Sequence, residues 1–487
     1  MFLFTFVVVW PTPRPALHRR GANFIYNVRF CMKYSLVVVL ILSLVVPMSA
    51  QNQVQAVSGG TGRTVALGGG PYNPYITDYT DVFVNPAYAS RYQSLLYSDI
   101  GYGIGGYAAA GQYVGYTMSV GGLSVGLAVG RREGPMFPEN SYGAGNATYG
   151  NSDYMVPVLD AYLPGAFGTP GSPLAPLQVF VATRISGMTL GAAIYRSSWS
   201  RNEEYTAAAG GASEKMSANN TQTGFKVGTL MDIGGSTLDV SVLLRMNGST
   251  AEWSDTNTAV NPNTSKYDVS GTEFGVNARL MMKMSDQVEL VPVLRYMTFG
   301  YKPEYTDNTT PAPTPANNTP NDYGRTDLEI GVGVNNRFEN GFVTVGLSFQ
   351  QITLHNDVTS VVGTALETRK QTRTATDLPK LNFGAELGLT DWLTGRFGYF
   401  KRFTSTESKV EAPNTSTTVS EVSSEATYVP TLGFSAADQQ VSLGLGIKVS
   451  RLSLDGYVGE QFLSSGTYLL SGMTHELFGV LSVSFRF

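Results

Sequence analysis

Apolar residues recur at every second position through most of this chain. Leu123, Val125, Leu127 and Val129 alternate with Ser124, Gly126, Ala128 and Gly130. Leu238, Val240, Val242 and Leu244 alternate with Thr237, Asp239, Ser241 and Arg245. The same rhythm returns at Leu328, Ile330, Val332 and Val334, at Val343, Val345, Leu347 and Phe349, at Leu381, Phe383, Ala385, Leu387 and Leu389, and at Val441, Leu443, Leu445, Ile447 and Val449. A period of two is that of a β-strand with one apolar face and one polar or small face.

Turn chemistry separates these runs. Gly121-Gly122 is a two-residue hairpin signal. Tight turns are predicted at 232–235, 285–287, 339–341 and 390–392. Between successive hairpins lie polar stretches rich in Asn, Thr, Ser and Pro, and these predict long loops at about 201–219, 250–265, 306–322, 358–377 and 408–437. Short turns at one end and long loops at the other are the arrangement of outer-membrane barrels. A propeller would repeat every 40–50 residues or so with four strands per blade, whereas these hairpins are uneven in length. The pattern predicts an all-β fold: a transmembrane antiparallel β-barrel of about 14–16 strands with an N-terminal plug segment. The first strand is expected near 95–107. The last places Leu477, Gly479, Leu481, Val483, Phe485 and Phe487 on one face. An alternating last strand with a terminal aromatic resembles the signal read by the barrel-assembly machinery, an expected partner during biogenesis.

Composition sharpens this picture. Only 14% of the 487 residues are charged, against about 25% in ordinary soluble proteins. With 27 Tyr and 24 Phe there is ample apolar surface to bury, which argues against disorder. After residue 50 no uncharged apolar run is long enough for a spanning helix. Spanning strands account for both facts, because they spread apolar residues along the chain. The formal net charge of −4 offers no basic face for nucleic acid. The one cysteine, Cys31, precedes an apparent export signal: Lys33, an apolar stretch at 36–46 and Pro47-Met48-Ser49-Ala50 before Gln51. The expected division is an upstream extension at 1–31, a signal peptide at 32–50, a plug or hatch at 51–93 and the barrel at 94–487.

Residues 51–93 break the alternation and carry a motif. Arg63-Thr64-Val65-Ala66-Leu67-Gly68-Gly69-Gly70 is followed by Asp78-Tyr79-Thr80-Asp81-Val82-Phe83-Val84-Asn85-Pro86-Ala87. This resembles the N-terminal signature of FadL-type outer-membrane transporters of hydrophobic compounds, and is similar to the related barrels associated with type IX secretion. Tyr88 follows the motif where glycine is usual, and Gly69-Gly70-Pro71 replaces a Gly-Ala-Tyr step. The resemblance implies a hatch packed inside the barrel, with Asn85, Pro86 and Ala87 among its residues. Pro86 fixes its own φ and biases Asn85 to an extended conformation.

Candidate chemistry is sparse. Gly122-Leu123-Ser124-Val125-Gly126 matches G-x-S-x-G, but it lies in an alternating strand with no helix after it, so the nucleophile elbow is missing. His355 and His475 have no spaced second ligand for zinc. His355 is near Ser348 and Asp357 in sequence, which leaves a barrel hydrolase as a third reading. Asp239, Arg245, Glu273, Arg279, Glu289, Arg295, Glu329, Glu386, Arg396 and Lys448 fall on the polar faces, with Arg245 and Glu289 as expected partners of the plug. The loop at 132–176 is unusually apolar, and Phe137, Tyr154, Met155, Leu159 and Phe167 are the candidate ligand-binding residues. The expectation is a non-enzyme without cofactor or metal in the bacterial outer membrane, in contact with lipid. It would take up small hydrophobic molecules such as long-chain fatty acids or aromatic hydrocarbons. The alternative is a structural or secretion-associated barrel that binds protein partners.

Overall fold

Strands pair with their sequence neighbours all the way round a computed structural model of the chain, and the first strand meets the last. The structure describes residues 57–69, 72–100, 113–131, 174–206, 213–255, 263–307, 322–362, 365–412, 415–423, 439–459 and 480–487. The extension at 1–31, the signal segment at 32–50, residues 132–173 of the apolar loop with Phe137, Tyr154, Met155, Leu159 and Phe167, and His475 lie outside these.

The strands are β1 (Leu95–Ile100), β2 (Tyr113–Val120), β3 (Leu123–Val129), β4 (Leu174–Ile185), β5 (Met188–Thr206), β6 (Ser213–Ile233), β7 (Ser236–Asp255), β8 (Asn263–Lys283) and β9 (Val288–Asp307). They continue as β10 (Asp322–Phe338), β11 (Gly341–Val362), β12 (Ala365–Gly388), β13 (Leu393–Ala412), β14 (Thr415–Ser423), β15 (Gln439–Val449), β16 (Leu452–Gly459) and β17 (Val480–Arg486). β1 pairs antiparallel with β2 and with β17, where Leu95 faces Arg486 and Ile100 faces Leu481. β15 returns to the lower half of β13, while β14 pairs with its upper part, Thr404–Ala412. The closed ring therefore has 16 strands, and β14 stands above it. Closure leaves no free edge in the ring.

The strands whose parity was read in the sequence keep it among the described residues. On β3 Leu123, Leu127 and Val129 are exposed while Ser124 and Ala128 are buried. On β7 Leu244 points out, and Asp239, Ser241, Arg245 and Asn247 are buried inside. The outer surface is thus a belt of Leu, Val, Ile and Phe, and the charges are inside, as lipid contact requires. Two-residue turns close the short end: Gly121-Gly122 and Gly234-Gly235 all have positive φ, the hairpin geometry that matches strand twist.

One expectation is corrected. The polar stretches at 201–219, 250–265 and 358–377 are in large part strand, not loop, and in 408–437 residues 408–412 and 415–423 are strand. β11 and β12 remain paired to Val362 and Ala365. At 24 residues β12 extends about 80 Å, whereas 9–11 or so span a bilayer. Beyond the membrane neither face needs to be apolar, so alternation vanishes while Thr, Ser and Val still favour extended chain. Likewise, residues 174–176 of the apolar loop begin β4.

Candidate functional site

Residues 57–94 lack alternation because they form caps and short helical turns. Helix α1 (Thr61–Ala66) starts at Gly60, whose φ of 98° suits glycine, and all six of its residues are buried. A 3-10 helix at Tyr79–Phe83 is capped by Asp78 in a reciprocal box: Thr80 N–H donates to Asp78 and Asp78 N–H donates to Asp81 at 2.9 Å. A second 3-10 helix at Pro86–Ser90 has Asn85 as cap, accepting from Ala87 N–H at 3.0 Å, with Pro86 at its first position. The Asp-x-x-Asp and Asn-Pro-Ala motifs are therefore two successive helix starts.

The inner wall receives this segment on patches of glycine. Gly191 and Gly228 face each other across β5 and β6. A Cβ on Gly191 would lie 2.1 Å from Ala87 N, and one on Gly228 would lie 2.1 Å from Asn85 Oδ1. Gly331, Gly333 and Gly346 make room for the Tyr75 ring, and Gly384 and Gly398 for Leu67 and Gly68. Side chains of larger size at these positions would displace the segment.

Ion pairs complete the fit. Arg279 on β8 uses all five N–H groups: Nε on Asp239 (2.6 Å), Nη1 on the carbonyls of Pro74 (3.3 Å) and Ile76 (2.9 Å), and Nη2 on Tyr88 Oη and Asp81 (2.8 Å each). Asn85 Nδ2 donates to Asp239 at 2.6 Å and to Thr229 O and Val240 O. On the opposite wall Arg63 donates to Glu386 (2.8 Å) and Asp78 (3.1 Å). Arg396 joins Glu386 (2.7 Å), Asp455 (2.7 Å) and Ser58 (2.6 Å). Thr61 and Ser482 both donate to Asp99 at 2.5 Å. Lys226 donates to the Phe83 carbonyl, and Asn335 to the Tyr75 carbonyl at 2.7 Å. Burial pushes the Asp81 carboxyl up to about 6, against the pull of Arg279. Burial also raises Asp78, against the pull of Arg63.

The wall formed by β1–β5 is different. Phe83 meets Tyr97, Tyr113 and Phe180 edge-on, with centroids 6.0, 5.2 and 5.7 Å away. Ala128, Ala182 and Ala193 fill the spaces between. Arg131 sits over the Phe83 ring at 3.8 Å. Higher in the lumen, inward charges pair within the wall: Arg245 with Glu273 (2.8 Å) and Arg295 with Glu329 (3.0 Å) between neighbouring strands, and Lys380 on β12 with Glu329 on β10 (3.1 Å) across β11. Arg325 pairs with Asp327 on its own strand at 2.6 Å.

Of the residues singled out in the sequence, Asn85, Pro86 and Ala87 lie against β5–β7. Arg245, expected to meet the N-terminal segment, pairs with Glu273 instead, because it sits a layer higher. Asn335 links Glu289 to the segment, donating to both Glu289 and the Tyr75 carbonyl. The hydrolase reading fails on parity: Ser348 faces inward and donates to Glu329, whereas His355, seven residues on, points out toward Thr372. Ser124 accepts from Gln93 at 2.7 Å. Sequence reasoning missed Arg63 and Asp81 as pairing residues and the glycine patches as sockets. The patches were visible as glycines on the inward parity, a signal that only gains meaning once something must pack there.

No family model matches the chain, and no curated protein matches it. Among solved structures it is similar to the Pseudomonas putida toluene transporter TodX, at 11% identity over 90% of this chain and 100% of that one, with a TM-score of 0.36. It is also similar to the TodX deltaS2S3 mutant monoaromatic hydrocarbon channel (10%, 88% and 99%, 0.35). A third is the ferric yersiniabactin uptake receptor FyuA from Yersinia pestis (8%, 77% and 70%, 0.32).

Proposed function

We propose that this chain is a bacterial outer-membrane barrel for passive uptake of small hydrophobic compounds. In this reading residues 51–93 are its hatch, and the loop at 132–176 captures the ligand through Phe137, Tyr154, Met155, Leu159 and Phe167. The observation that carries it is the division of the lower lumen. The N-terminal segment is tied to β8 and β12 by ion pairs, while toward β1–β5 it meets rings and alanines together with hydrogen bonds at Asp99, Thr117 and Ser124. An apolar compound would pass along that second side between Phe83, Tyr113, Phe180 and the alanines, where ring and methyl contacts are non-directional and no ion pair to the segment has to break. About 300 Å² of contact with the loop would contribute roughly 7 kcal/mol before entropic costs, which sets micromolar capture as the upper limit.

The test is uptake of a radiolabelled long-chain fatty acid or aromatic hydrocarbon by cells carrying the protein. Changing Phe137, Met155 and Leu159 together to Ser should cut uptake about tenfold and leave barrel assembly intact. No uptake by the unaltered protein would overturn the reading. A second reading, a barrel that binds protein partners, draws on the paired strands that stand beyond the membrane belt, β11 and β12 above all.

A further inference from the structure

One row of inward side chains has no hydrogen-bonding partner among the described residues. Ser197 on β5 faces Gln222 on β6, and Gln222 faces Asn247 on β7, so the three share one height in the barrel. Gln178 on β4 faces Tyr195, two residues below Ser197. All four are buried, from 1% to 4% exposed. Yet both polar carboxamide atoms of Gln178, Gln222 and Asn247, and the Ser197 hydroxyl, make no hydrogen bond among the described residues. Directly opposed side chains on adjacent strands are close enough to pair. Arg245 and Glu273 do so one row below, at 2.8 Å. The carboxamides do not, and buried polar groups left this way favour any visitor that completes them.

The visitor's chemistry follows from theirs. Each carboxamide presents a donor beside an acceptor. A hydroxyl does the same, so one alcohol or phenol group can answer both. The four residues carry no charge, and the adjacent Arg245 is matched by Glu273, so nothing here compensates an ion taken out of water. Below the row the wall turns apolar, with Phe180, Ala182 and Ala193 buried on β4 and β5. The Tyr195 ring stands between the two zones.

We propose that this row is a subsite for the neutral hydroxyl head of an otherwise apolar compound. The barrel then prefers alcohols and phenols to hydrocarbons and to carboxylates. The proposal rests on the uptake reading and names its substrate class. It is tested by equilibrium dialysis of 4-hexylphenol, hexylbenzene and 4-hexylbenzoate against the full barrel in nanodiscs, with empty nanodiscs subtracted. The unaltered protein should bind hexylphenol at least tenfold more tightly than the other two. In the Gln222→Leu, Asn247→Leu double variant that preference should vanish through loss of hexylphenol binding, with hexylbenzene binding unchanged. Heat-modifiable migration on gels checks that the variant barrel is folded; single Gln222→Leu and Asn247→Leu variants, each expected to lose part of the preference, serve if it is not. Equal binding of hexylphenol and hexylbenzene, or a hexylphenol affinity untouched by the variants, means the row holds water only and overturns the proposal while leaving uptake standing. Hexylbenzoate bound as tightly as hexylphenol overturns the neutral class. Binding of none of the three overturns the uptake reading together with the subsite.

Discussion

The lower and upper lumen use the same residue types for different ends. In the lower layer each charge cluster joins parts of the chain far apart in sequence: Arg279 reaches Asp81, and Arg63 reaches Glu386. In the upper layer the pairs stay within the wall, on one strand as with Arg325 and Asp327, between adjacent ones as with Arg245 and Glu273, or across a single strand as with Lys380 and Glu329. A pair inside the wall can only stiffen the wall. A pair between the wall and a separate segment decides whether that segment stays.

Removing one partner of a buried pair is the largest perturbation available. Arg279→Ala leaves Asp81 and Asp239 buried beside each other without their cation, and should cost about 3–5 kcal/mol. Arg325→Ala should cost a similar amount, since Asp327 is also fully buried. The two should differ in where the cost is felt. Arg279→Ala should raise single-channel conductance in planar bilayers as the segment loosens. Arg325→Ala should lower the melting temperature of the barrel with conductance unchanged. Equal conductance changes for both would erase the distinction between the layers.

The next effect tests the face on which both layers depend. Leu445 on β15 is 43% exposed on the outer belt. Leu445→Arg should cost about 2–4 kcal/mol near the midplane, read from urea unfolding in lipid. Unchanged stability would mean that the outer face is not in lipid, and the inward placement of the charges would lose its physical cause.

The parity of Leu445 was legible in the sequence, as was nearly every spanning strand, because lipid imposes a strict rule at each position. Strand length was not. Residues 201–206 and 213–219 lose alternation once no lipid faces them, and their pairing depends on neighbours remote in sequence. The N-terminal segment was legible as a departure from alternation, and Asp78, Asp81, Asn85 and Pro86 stood out as members of a motif, though not as caps. Their partners did not, since nothing local tells Arg279 to meet Asp81 and Arg245 to stop at Glu273. That choice is set by height in the barrel, which follows from register. The unpaired row at Ser197, Gln222 and Asn247 was hidden for the same reason.

Protonation offers a milder way to change the lower layer alone. Asp81 has its carboxyl raised by burial to about 6 from the ordinary 3.8. In the docked segment it therefore takes up a proton that the released segment does not hold between about pH 6 and pH 4. The group contributes nothing below about pH 4, where it is neutral in both states. Its ionisation opposes docking in full above about pH 6, by roughly 3 kcal/mol. Docking should thus tighten as pH falls from 7.5 to 5, seen as slower proteolysis of residues 57–94. Asp78, raised in the same direction, adds to this trend. Asp81→Asn should weaken the pH dependence and protect the segment at pH 7.5. Equal protection of the unaltered protein at both pH values would sink the idea.

The smallest expected effects concern one socket and are best measured together. Asn85 caps a 3-10 helix and donates to Asp239 and two wall carbonyls. Asn85→Ala should cost about 1–2 kcal/mol of segment docking from the lost cap and bonds. Gly228→Ala places a methyl 2.1 Å from Asn85 Oδ1, and the backbone behind Gly228 is held in the ring on both sides, so the segment must give way. That should cost about 1–3 kcal/mol. The double variant separates a socket from two unrelated weak points. If Gly228 matters because Asn85 fills the space before it, truncating Asn85 removes the atom that the new methyl strikes. The pair should then cost clearly less than the sum of the singles, by about 1 kcal/mol or more in a cycle read from protease susceptibility at 57–94. Additive costs would mean that Gly228→Ala acts through its own strand, and that the wall at β5–β6 does not recognise Asn85-Pro86-Ala87 by shape.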